Sequence, residues 1–475
     1  MKNGGLMRNL GEIYSENTSA LREGLRAGES FDIIERHLTV LNRDMCFFYI
    51  DGFTKDGEMQ RVMQFLLNLK EGFNAEDVER RLPYVEVERC SDIDEIIVAV
   101  LSGQTAVLAE SFGGEAILVD ARTYPARDTA EPTSDKVMQG AHDGFVETLV
   151  MNTALIRRRI RDERLTMEHT RLGGASKTDI VICYMSGIAD EKLIAATRKK
   201  LAEAKPKSLT LGFQSLAESL IKKGWWNPFP KIRTTERPDT AAAQLMEGSI
   251  LVICDTSPQV MILPTSIFDY LQQADDYYFP PLTGSYLRIV RTFILLLSVV
   301  AIPLWYLYLE YADTLPSALR FLLPNDPGAL PILLQLLLVE IAIDGLKIAS
   351  MNTPDMLSNS LSVVGALILG DFAIEVGWLC ADVIFYMAFV AIANFAQQNH
   401  ELGYAFKFVR VLTLILTAAL GIWGFCLGIL ISLILVVTNR TLSGRRYLYP
   451  LIPFDRAAMK RLLFRERKTD FENEN

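Results

Sequence analysis

Three ionisable residues, Glu340, Asp344 and Lys347, stand at i, i+4 and i+7 in an otherwise apolar stretch, LPILLQLLLVEIAIDGLKIASMNTP (330–354). On a helix this spacing puts them in one narrow stripe. Acidic side chains so placed could concentrate cations along a path through a membrane, as acidic rings do in cation channels. The same stripe could be the wet side of a helix lying in the interface, or a contact between subunits. Asp344 and Lys347 are also spaced to neutralise one another. Ser358, Ser362, Gly365 and Leu369 form a second stripe of the same period. Small hydroxyl residues there suit close helix packing and would equally suit the lining of a narrow pore. The basic run Arg157, Arg158, Arg159 and Arg161 is either a solvated helix face or a contact with an acidic neighbouring subunit.

Enzyme chemistry finds no purchase. There is no GxSxG, no HExxH and no local Cys/His pairing. GGASKT (173–178) loosely resembles a phosphate loop, but it lacks a glycine directly before Lys177 and precedes a strand-like segment. The four histidines (37, 142, 169, 400) do not approach metal-ligand spacing along the chain, and the six cysteines are scattered singly. Reduced thiols, no metal and no cofactor are therefore expected. Thr235 to Asp239 reads as a rigid polar turn between subdomains. The net charge of -9 argues against nucleic acid as a partner.

The elements that must position these residues divide near residue 285. Upstream, charged and apolar residues mix as in a globular α/β protein, and the first residues carry no apolar core of a signal peptide. Strands are expected at 44–53 and 178–188, strand pairs at 103–122 and 248–266, and helices at 58–73, 143–165 and 190–204. Gly173-Gly174 is read as a linker, giving subdomains 1–172 and 173–284. Downstream, 285–438 is a multi-span helical region and 439–475 a basic tail. The run 292–309 holds 18 residues without a charge, near the ~20 that cross a bilayer. Arg288 and Arg291 precede it and the tail is rich in Arg and Lys, so both termini are expected in the cytosol. An even number of crossings is then needed. Four serve: 292–309, 356–377, 379–396 and 411–437. Six remain open, with the last run folded as a hairpin around Gly421, Gly424 and Gly428.

Long blocks resemble a known family. EPTSDKVMQGAHDGFVETLVMNTALIRRRI (131–160), NPFPKIRTTERPDTAAAQLMEGSILVICDTSPQVMILPTS (227–266) and RRYLYPLIPF (445–454) are similar to signatures of the GerA spore germination proteins. LPILLQLLLVEIAID and NHELGYAFKFVR look most like its stage V sporulation AF branch. Members commonly have Gly-Pro-Arg where this chain has Gly140-Ala141-His142. The resemblance implies a multi-pass protein of the spore inner membrane. It implies an A-type subunit that forms a homo-oligomer, with a pentamer as one arrangement, and conducts monovalent cations. A B-type membrane partner and a surrounding lipid bilayer complete what it implies. A non-conducting receptor or scaffold subunit is the alternative. The expected architecture is an α/β cytosolic region of two subdomains plus a polytopic helical membrane domain.

Overall fold

The computed structural model describes residues 8–464 apart from 55, 71, 123–139, 222–223, 225, 274, 313–316, 325, 352–372, 398, 440 and 443–445. The chain forms two compact units. The first comprises residues up to 223 with 232–265 and 441–445; the second comprises 224–231, 266–440 and 446–475.

The first unit is a duplication. Its first half runs α1 (Tyr14–Leu25), β1 (Ile33–Val40), β2 (Arg43–Ile50), α2 (Asp56–Leu67), α3 (Ala75–Arg81), β3 (Val87–Cys90), α4 (Ile93–Leu101), β4 (Thr105–Ala109) and β5 (Ala116–Val119). The second half repeats that order: α5 (Leu149–Arg159), β6 (Leu165–Leu172), β7 (Thr178–Met185), α6 (Glu191–Glu203), α7 (Gly212–Leu220), β8 (Arg233–Thr235), α8 (Pro238–Met246), β9 (Ile250–Cys254) and β10 (Val260–Leu263). The sheets have matching strand orders, β1-β2-β4-β5-β3 and β6-β7-β9-β10-β8. Every strand pairing is antiparallel.

Both sheets are covered on two faces, and side-chain alternation sorts their residues. Cys46, Phe48 and Ile50 pack toward α1 and α4, while Met45 and Phe47 pack toward α2 and α3. In the second sheet Ile180, Ile182 and Tyr184 meet α6 and α7, while Val181, Cys183 and Met185 meet α5 and α8. The expected strands and strand pairs are present, but two expectations change. The 143–165 helix is shorter, because Leu165 starts β6. Gly173-Gly174 lies in the β6–β7 hairpin turn, inside the second half instead of between the halves.

The second unit is helical: a single turn α9 (Asp275–Tyr278), then α10 (Pro281–Glu310), α11 (Ile332–Met351), α12 (Ala381–Phe395), α13 (His400–Leu420), α14 (Ile422–Thr438) and α15 (Arg456–Leu463). Two apolar clusters fix the direction of each helix. One end gathers Leu295 and Val299 of α10, Leu402, Phe406 and Val409 of α13, and Leu435 of α14, with Phe229, Tyr270 and Tyr447. The other gathers Ile302 and Trp305 of α10, Leu336 of α11, Cys380 and Val383 of α12, and Leu414 of α13. α11 leaves the second end and brings Lys347 to the start of α13. α12 begins back at the second end, where Cys380 N donates to Gln335 Oε1 at 2.9 Å. The end of α11 and the start of α12 thus lie at opposite ends of the unit.

The run 411–437 is not one straight span. Gly421 (φ 56, ψ -135) ends α13 and starts α14, and the two helices fold back on each other. A Cβ on Gly424 would meet Leu416 O at 1.8 Å, and one on Gly428 would meet Thr413 Cα at 2.8 Å. The glycines let the two backbones touch, as small residues do between membrane helices. This corrects the single-crossing reading of 411–437 in favour of the hairpin. Among the described residues, two helical stretches are long and apolar enough to cross a membrane, Pro281–Glu310 and the interrupted His400–Thr438, and Ala381–Asn394 is a shorter apolar one.

Candidate functional site: a buried ion-pair lattice

The stripe on α11 occupies one face, as its spacing requires, and that face meets α13. Glu340 is buried and accepts from Arg410 Nη2 at 2.5 Å, with Lys407 Nζ at 3.6 Å. Asp344 pairs with Lys407. Lys347 Nζ lies 3.4 Å from His400 Nδ1 and 4.8 Å from the centre of the Tyr404 ring. Asp344 also makes a cross-helix pair, because α13 presents Lys407 directly to its carboxylate. Lys407 and Arg410, three apart, fall on one face of α13.

The signs in this lattice matter. Two acids face three bases, counting Lys347 with Lys407 and Arg410. The excess is cationic, so the stripe on its own subunit is not the negative surface that a cation-attracting ring needs. Arg410 is 1% exposed, and its Nε and Nη1 have no hydrogen-bond partner among the described residues. Removing one member of such a set leaves a buried charge uncompensated, which costs far more than the pair contributes.

Lys407 and Arg410 were not singled out from sequence. Their signal was available: two cations in NHELGYAFKFVR, just before an uncharged apolar run, which is rare in a membrane helix without partners. Ser358, Ser362, Gly365 and Leu369 lie outside the described residues.

The basic run of α5 separates into individual roles. Arg157 is fully buried. Its Nε donates to Asp32 Oδ2 at 2.8 Å, its Nη2 to Leu165 O at 2.9 Å and its Nη1 to Asp162 O at 3.1 Å. Ser30 Oγ accepts from Met167 N at 3.0 Å and donates to Asp32 Oδ1 at 2.5 Å. Phe31 N donates to Met167 O at 2.9 Å. Arg157 therefore fastens the two halves of the first unit together and cannot reach a neighbouring subunit, a correction to its place among contact candidates. Arg159 is engaged by Asp143 at 2.6 Å. Arg158 and Arg161 are exposed.

Thr235 to Asp239 is also relocated. It joins β8 to α8 within the second half, with Pro238 in the first turn of α8. Arg237 is buried, pairs with Asp239 at 2.6 Å, and donates through Nη2 to Ala141 O at 3.0 Å. The block NPFPK has a structural task in the second unit. Asn227 Nδ2 donates to Leu435 O at 2.7 Å. Lys231 Nζ donates to Asn439 Oδ1 at 3.2 Å, and Asn439 Nδ2 to Pro230 O at 3.2 Å. Arg288 and Arg291, read as the basic flank of the first span, both bond the buried Asp276.

Comparison with known proteins agrees with these blocks. The family model described as Bacillus/Clostridium GerA spore germination protein matches residues 20–474. Stage V sporulation protein AF of Bacillus subtilis (strain 168) is 37% identical over 459 residues, covering 96% of this chain and 92% of that protein. Spore germination protein KA of the same organism is 27% identical over 451 residues, covering 92% and 82%. The crystal structure of the N-terminal domain of the A subunit of the Bacillus megaterium spore germinant receptor GerK3 aligns with 54% of this chain and 97% of its own. Its TM-score is 0.40 and its identity 24%. With the match running over nearly its whole length, the chain belongs to the GerA family of spore germination proteins.

Proposed function

We propose that this chain is an A-type subunit of the spore inner membrane, assembling with copies of itself and a B-type membrane partner to release monovalent cations during germination. One observation carries the membrane reading. The second unit turns large apolar side chains outward, among them Phe293, Leu296, Phe385, Phe408, Trp423 and Leu430, while its charges pair inside. Phe385 and Trp423 are 71% and 78% exposed. That is inside-out for water and natural for lipid, where charge at mid-depth costs about 2.5–3.5 kcal/mol per residue and must be paired.

We read six crossings with both termini cytosolic; α10 and α13 run one way, while α11, α12 and α14 run the other. Added cysteines beside Gly421 or Trp378 should label from outside, and cysteines in α15 should not. Outside labelling of α15 would defeat this topology.

The ion path is assigned to the stripe Ser358, Ser362, Gly365 and Leu369, because Glu340 and Asp344 are already neutralised within the subunit. In proteoliposomes with the partner, Gly365→Trp should abolish potassium flux with assembly unchanged. Glu340→Gln combined with Arg410→Gln removes one charge of each sign, keeps the net charge of the interior, and should leave flux within about twofold. Zero flux from the unmutated complex would favour the non-conducting scaffold. Strong sensitivity to the paired substitution would return the path to α11.

A further inference from the structure

The β1–β2 hairpin sets three different donor atoms against one another at the open edge of the first sheet. Glu35 and His37 are two apart on β1 and share a face. Cys46 stands directly opposite His37 in the strand register. His37 Nε2 lies 2.8 Å from Glu35 Oε1. Cys46 Sγ lies 3.8 Å from Glu35 Oε1 and 4.0 Å from His37 Nε2. A tetrahedral ion with metal–nitrogen and metal–oxygen bonds of about 2.0–2.2 Å and a metal–sulfur bond of about 2.3 Å separates its donors by about 3.3–3.8 Å. Of the present sides, the 2.8 Å one is about 0.5 Å short of that range, the 3.8 Å one falls within it and the 4.0 Å one exceeds it by about 0.2 Å. The His37 side chain, 54% exposed, is free to supply the adjustment.

The chemistry of the set is coherent. A thiol, an imidazole and a carboxylate form a mixed donor set suited to zinc and its neighbours, with the exposed His37 side leaving a fourth position to water. Burial, with the Glu35 charge beside it, pushes the Cys46 thiol up to about 12. An ion binds the thiolate, so binding displaces the thiol proton. Arg22 of α1 holds Glu35 from the other side, Nε to Oε2 at 2.7 Å and Nη2 to Oε1 at 2.5 Å. It is the natural competitor for Oε1, and at 49% exposure it can withdraw.

The duplication supplies a comparison inside the same chain. At the equivalent register the second half carries Met167, His169 and Val181. Neither the strand pairing nor the packing of this fold calls for a Glu, a His and a Cys together. We propose that Glu35, His37 and Cys46 form a site for one divalent transition-metal ion of the zinc class, with three protein ligands and a water-accessible fourth position. Binding replaces the Cys46 S–H bond with a metal–sulfur bond and releases that proton to solvent.

The test uses the full chain in detergent, without a polyhistidine tag, titrated with cobalt(II). One equivalent should produce near-ultraviolet thiolate-to-cobalt absorption and visible tetrahedral bands, both displaced by zinc. Cys46→Ser should abolish the ultraviolet band. His37→Ala, on an exposed side chain that leaves the core intact, should weaken binding at least tenfold. Arg22→Ala should tighten it several-fold, a gain that a mere surface ion-pair set would not produce. Absence of the band in the unmutated protein, or a band surviving Cys46→Ser through Cys90 or Cys426, overturns the proposal.

Discussion

Replacing Asp32 with alanine should cost the first unit about 3–5 kcal/mol, the range for removing one partner of a buried pair. Asp32 is 1% exposed and Arg157 is fully buried. With the carboxylate gone, the guanidinium keeps its bonds to the carbonyls of Asp162 and Leu165 but loses its counter-charge. Hydrogen exchange on the full chain should show lost protection in residues 28–34 and 155–168. The double substitution Asp32→Leu with Arg157→Met should recover most of it, since apolar residues of similar volume often replace a buried pair at little cost. Equal loss in the single and double variants would mean that the residues act separately.

The second large effect reverses a familiar sign. Glycine to alanine inside a helix ordinarily stabilises by about 1 kcal/mol. At Gly424 it should destabilise strongly, because the new Cβ would stand 1.8 Å from Leu416 O, a backbone atom that cannot move without opening the hairpin. Gly403, in α13, has nothing within 4 Å of its Cβ position, so Gly403→Ala is the control. Thermal unfolding in detergent should fall for Gly424→Ala and rise or hold for Gly403→Ala. A rise in both would mean that α13 and α14 are not packed backbone to backbone.

Much of the α/β unit could be read from the chain because its information is local. The continuous apolar run in DMCFFYI and the turn at Ser257-Pro258 act over a few residues. The errors arose where distant residues decide. Nothing near Arg157 announces that its partner is Asp32, 125 positions earlier. Stripe logic correctly put Glu340, Asp344 and Lys347 on one face, but could not say that Lys407 and Arg410 would fill the facing helix. The run 411–437 was long enough to cross singly, so hydropathy could not choose between a span and a hairpin. Backbone approach at Gly424 chose. His37 looked isolated because ligand spacing was sought along the chain, whereas a hairpin brings Cys46 opposite it by register. The duplication escaped notice because it lives in strand order, which composition does not carry.

The bonds from Lys231 to Asn439 span 208 residues, and Phe229 waits still longer for Tyr447. At synthesis rates of about 5–20 residues per second, roughly 10–40 s separate the emergence of NPFPK from that of the residues that satisfy it. During that interval the base of the helical unit stays open, with a lysine and the Phe229 ring lacking the neighbours they will have. The clamp therefore dates the chain: it closes only once synthesis has passed Asn439 and Tyr447, and a chain broken off before Asn439 carries that surface unfinished.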